Sequence, residues 1–112
     1  MAKKETPPEL AGWVEERAEL LVKTARRIVA KADARKDQPV AEWLIPLLED
    51  FSHAEKIAKR GAHLLGAYAL RNGLTTQTEV ARAMGLTVTA AANRSASRLA
   101  RETWAEVWPD KQ

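Results

Sequence analysis

Apolar residues recur at helical spacing along most of the chain. Leu10, Val14, Ala18, Leu21, Ala25, Ile28 and Ala32 follow one another at steps of four and three, the interval that puts them on one face of a 3.6-residue helix. Trp13, Val22 and Val29 widen that stripe, while Glu16, Glu19, Lys23, Arg27 and Lys31 fill the opposite face. Thr6 before Pro7, Pro8 and Glu9 predicts the start, because a hydroxyl can cap a first turn in which missing amide protons and negative charge cost little. Ala34 to Pro39 breaks the pattern, since the residue before a proline is pushed out of helical geometry, and Asp37 can cap the next helix.

A second helix is expected from Val40, with Pro46 removing a backbone donor and so kinking or splitting it. Ser52-His53-Ala54-Glu55 has capping-box spacing and predicts a third helix with Ala54, Ile57, Ala58, Leu64, Leu65 and Tyr68 on one side. Asn72-Gly73 supplies its left-handed stop, and Gly61 and Gly66 within it mark close helix packing.

Thr76-Gln77-Thr78-Glu79 repeats the capping-box spacing ahead of Val80, Ala81 and Met84, the inner face of a helix of about two turns. Gly85 ends it, Leu86 can plug the core and Thr87 can cap again. Val88 to Arg101 then reads as one long helix with Val88, Ala91, Ser95 and Leu99 inward, extended by Trp104, Val107 and Trp108 until Pro109. The expected fold is all-α: a compact domain of about five helices with a helix-turn-helix and a long last helix. Residues 1–7 are a tail, 8–72 a helical scaffold with possible dimerisation surfaces, and 75–108 the helix-turn-helix with an extended second helix. No alternating strand pattern or internal repeat occurs.

The run Gln77-Thr78-Glu79-Val80-Ala81-Arg82-Ala83-Met84-Gly85-Leu86-Thr87 resembles the helix-turn-helix of phage repressors and of sigma-factor region four. The likeness covers roughly a quarter of the chain. It implies double-stranded DNA as partner, with residues opening the second helix at base edges, here Thr89, Ala92 and Asn93, and Thr87 near the backbone. Thr76, Gln77, Arg94, Ser97, Arg98 and Arg101 complete the expected contact set. Asn93 suits adenine, Arg94 or Arg98 suits guanine, and Thr89 suits a thymine methyl or a phosphate. Arg94 stands where the repressor pattern has a buried apolar residue, and Ser95 is the alternative inward position.

Charge placement agrees with that reading. The chain of 112 residues carries a net charge of +3, which permits an anionic partner without identifying one; between Gln77 and Arg101, however, Arg82, Arg94, Arg98 and Arg101 face only Glu79. Without cysteine, disulfides and thiolate metal sites are excluded, which fits a reducing, cytoplasmic setting. No apolar segment approaches the length of a membrane span. His53 and His63 have no ligand partners at metal spacing, and no phosphate loop or nucleophile motif is present, so neither a cofactor nor an enzymatic activity is expected. Trp104 and Trp108 can pack on the first helix, or the first and last helices of two chains can bury each other's stripes in a homodimer. Such a dimer would set two reading helices about 34 Å apart. The resulting expectation is a DNA-binding regulator of transcription, with two alternatives: a helical adaptor contacting the transcription machinery, or a plasmid or phage partitioning or replication protein.

Overall fold

The computed structural model describes residues 5–34 and 38–109. Those residues form five helices and no strand: α1 (Pro8–Asp33), α2 (Val40–Arg71), α3 (Gln77–Met84), α4 (Val88–Ser95) and α5 (Arg98–Val107). The all-α expectation of about five helices holds, but the chain is divided differently. α2 runs unbroken for 32 residues through Pro46, and the helix expected from Val88 to Arg101 stops at Ser95.

Both differences have physical causes. Leu47, Asp50, Ile57 and Leu64 are buried along α2 at steps of three and seven, a line that only a continuous helix keeps facing α1. The Trp43 indole also donates to the Lys31 carbonyl at 2.8 Å, fixing the turn ahead of Pro46 to the end of α1. Together these offset the donor that Pro46 lacks. The amides that a Ser52–Glu55 box would satisfy are within an unbroken helix and need no cap. In the later segment, Ser97 has extended backbone and its hydroxyl accepts from Ala100 N at 3.2 Å, so an N-cap inside the alanine-rich run starts α5.

The termini of the other helices are set locally. α1 begins at Pro8 with Pro7, not Thr6, as its N-cap, and the expected cap at Asp37 lies outside the described residues. α2 and α3 end alike: Leu74 N bonds Ala69 O while Gly73 N bonds Leu70 O, and Leu86 N bonds Ala81 O while Gly85 N bonds Arg82 O. Each motif needs a residue at positive φ, and Gly73 (60°) and Gly85 (69°) supply it.

α1 and α2 pair as a long hairpin, and α3 to α5 pack around one end of it, giving an elongated molecule of 59 × 30 × 24 Å. At that end Leu10 and Trp13 of α1, Leu64 of α2, and Val107 and Trp108 form the main core, with Tyr68 and Trp104 packed against it. Tyr68 stacks on Trp108 at 5.6 Å, and Trp104 lies 4.7 Å from Trp108. The C-terminal tryptophans are therefore used within the chain. A second cluster of Val80, Ala81 and Ala91, with Met84 and Leu86 beside it, holds α3 to α4.

The two glycines of α2 are not equivalent. A Cβ on Gly66 would lie 2.6 Å from Met84 Cε and 2.9 Å from Ser95 Oγ, whereas one on Gly61 would meet nothing within 4 Å. Gly61→Ala is expected to raise unfolding stability by about 0.5–1 kcal/mol, and Gly66→Ala to gain less, because the Met84 methyl and the Ser95 hydroxyl must move aside and that offsets the helix-propensity gain. Urea denaturation of the two variants checks this; equal gains would show that α2 tolerates a methyl at both positions.

Candidate nucleic-acid interface

The N-caps of α3 and α4 form as their sequence requires: Thr76 Oγ accepts from Glu79 N at 3.2 Å, and Thr87 Oγ from Ala90 N at 3.1 Å. The reciprocal half of the first box does not form, because the Glu79 carboxylate takes the Thr75 hydroxyl instead. Between the helices, Gly85, Leu86 and Thr87 make a three-residue turn, with Leu86 half-buried against the α3–α4 cluster.

The register of α4 is set by its buried side. Ala91 is 1% exposed and Ser95 Oγ is buried, so the inward line runs through 91 and 95, one turn apart. Ser95 is the inward position, and Arg94 points to solvent. Thr89 and Asn93 lie on the opposite, exposed face. Val88, expected inward, is 41% exposed, because it stands in the first turn beyond the reach of the α3–α4 cluster.

The flanks of α4 differ in detail and agree in charge. On one side Ala92 joins Gln77, Arg71 and Arg101 around a shallow groove between α2, α3 and α5. Arg101 also reaches the Ala96 carbonyl at 3.5 Å, and Arg71 stacks over the Trp104 ring at 4.4 Å. On the other side is Arg94, close enough to act on His63. The exposed ridge of Thr89 and Asn93 thus runs between two basic edges.

The ten residues expected at the interface differ in exposure and in the bonds they make. Thr76, Gln77, Thr87, Thr89, Asn93, Arg94 and Arg101 are exposed and Ala92 is half-buried in the groove. Ser97 is not on this surface in a free form, since its hydroxyl caps α5 and contacts His63 Nδ1 at 3.1 Å. Arg98, with 86% of its side chain exposed, is tied to Glu102 one turn along α5 at 2.8 Å. Sequence reasoning misses Arg71 because it belongs to α2, and only tertiary packing brings that helix beside α4.

His63 is buried behind α4, with Nε2 lacking a hydrogen-bond partner. Burial foremost, then Lys59 and Arg94, hold its pKa below the ordinary 6.5. Among the described residues no group of three or more His, Asp or Glu could hold a metal, and no helix is long and apolar enough to cross a membrane. No family model, curated protein or solved structure matches the chain.

A histidine with a depressed folded pKa binds fewer protons folded than unfolded, so stability rises with pH across the interval between the two values. Its contribution is whole above 6.5 and is lost as the pH falls from there through the lowered folded value. The urea midpoint should drop across that window, and His63→Gln, which keeps a polar group for Ser97 but does not titrate, should remove that component. The separate contribution of Asp50, whose pKa is lowered from 3.8 chiefly by its hydrogen bond from Lys31, is lost only in more acid solution.

Proposed function

We propose that α3, the Gly85–Thr87 turn and α4 form a helix-turn-helix that binds double-stranded DNA, with α4 in the major groove, and that the protein regulates transcription. The observation that carries this reading is the surface of α4: exposed Thr89 and Asn93 form a polar ridge between Arg71 with Arg101 on one flank and Arg94 on the other. A reading helix needs both features, because base edges are read by short polar side chains and the phosphates lining the groove are met by cations at its margins.

Within this reading the roles divide by chemistry. Asn93 offers the paired donor and acceptor that match adenine, and Thr89 the methyl and hydroxyl for thymine or a phosphate. Arg94 and Arg101 contact phosphate or guanine from either flank, and Thr76 and Thr87 bring backbone amides of helix starts toward the phosphates. Ser97 acts one step back, fixing the angle between α4 and α5.

Anisotropy titrations of the purified protein with duplex DNA over a salt series test the proposal. Affinity should fall linearly on a log–log plot with salt, and Arg94→Ala and Arg101→Ala should each reduce the slope by about one if their partners are phosphates. On a duplex selected by the protein, Asn93→Ala should cost about 1–3 kcal/mol and relax preference at one base pair. Absence of binding at low salt would falsify the proposal.

A further inference from the structure

Away from the α3–α5 end, the hairpin has an apolar side that none of the described residues covers. Leu21, Leu48 and Phe51 line a shallow groove along the α1–α2 seam. Leu48 is 62% and Phe51 59% exposed. Leu44, four residues before Leu48, continues the stripe on α2, while Val22 and Val29 continue it on α1, also largely exposed. Scattered apolar side chains are ordinary on a protein surface, but a continuous stripe over two adjacent helices marks an interaction face.

We infer that a second copy of this chain covers this face, packed antiparallel so that the two hairpins form a four-helix bundle. Charge selects the partner. On α1, Glu9, Glu15, Glu16 and Glu19 precede Leu21, and Lys23 and Arg26 come after it, followed by Arg27 and Lys31, which Asp50 of the same chain already holds. Of the two exceptions, Arg17 before the midpoint is occupied by Glu106, and Asp33 stands after it as the last residue of the helix. A two-fold axis near Leu21 therefore sets the acidic half of each α1 against the basic half of the other. Glu15 and Arg26 are eleven residues apart, so they lie about 20° from each other on the helix, at the margin of the apolar face beside Val22. Neither makes an ion pair among the described residues, and the two-fold brings Glu15 of one copy to Arg26 of the other twice.

Shape selects the same orientation. One half of the molecule carries three extra helices and the other is a bare hairpin, so antiparallel packing lays the thin half of each copy along the thick half of its neighbour. There the apolar side of α2 continues into an open groove between α2 and α3, lined by Leu65, Val80, Ala83 and Met84. Packing the copies with their thick ends together would hold the bare hairpins apart. The pairing is isologous, so it closes at two copies. It stands on the hairpin alone and does not depend on DNA binding.

Sedimentation equilibrium of the full chain should give about twice the 12.4 kDa chain mass. Leu48→Glu with Phe51→Glu should give a monomer of unchanged helicity by circular dichroism. Glu15→Lys with Glu19→Lys should weaken the dimer about tenfold or more. Lys23→Glu with Arg26→Glu should do the same, and all four reversals together should restore it. A monomer throughout the concentration series overturns the inference, as does a fourfold variant that associates no better than either pair.

Discussion

At Gly66 the backbone of α2 meets the side chains of Met84 of α3 and Ser95 of α4 so closely that a methyl group there would have to displace both, and the orientation of the site depends on that approach. A two-helix unit of eight residues each has too little apolar surface to hold itself in place, so it must stand on a longer element. Small residues make the contact possible: Gly66 on α2, and Ala91 and Ser95 on α4. The hydroxyl of Ser95 is left buried without a hydrogen-bond partner, a cost of about 1–3 kcal/mol, at a position where a larger side chain would push the helices apart. Once Ala91 and Ser95 face α2, helical periodicity turns Thr89 and Asn93 outward.

The scaffold also sorts the charges. Glu106 on α5 gathers Arg17 from α1 and Arg60 from α2, and Asp50 on α2 gathers Arg27 and Lys31 from α1. These pairs are partly open to water, so they add modest stability and serve mainly to align the elements that contribute them. Their second effect is on the charges left over: Arg82, Arg94 and Arg101 take part in none of the ion pairs among the described residues, so their charge stays available around α3, α4 and α5.

Local signals in the chain are legible where a short stretch carries its own geometry. Thr76 and Thr87 are caps because a hydroxyl three residues before an amide suffices, and Gly73 and Gly85 are stops because their conformation excludes most other residues. Signals that depend on a partner helix are not. Pro46 predicts a break from local chemistry, and the line from Leu47 to Leu64 against α1 overrides it. As a polar residue on a continuous helix Ser97 would belong to the interface, whereas it divides that helix and supports His63. Gly61 and Gly66 look alike in sequence, and only the arrival of α3 and α4 beside the second distinguishes them. The basic edge from α2 is hidden for the same reason.

The uneven distribution of the core bears on how the hairpin holds its register. Leu10, Trp13, Leu64, Val107 and Trp108 gather at the α3–α5 end, and the opposite half has α1 and α2 alone. Across that seam polar ties recur: Asp50 of α2 holds Arg27 and Lys31 of α1, and the Trp43 indole donates to the Lys31 carbonyl. Apolar contacts tolerate sliding by a turn, whereas these bonds have fixed donors and acceptors and match in one register only. They specify how the helices pair but contribute little net free energy, since each replaces a bond to water. The bare half of the hairpin is therefore correctly aligned yet weakly held, and burying its exposed Leu48 and Phe51 is where further stabilisation is available to it.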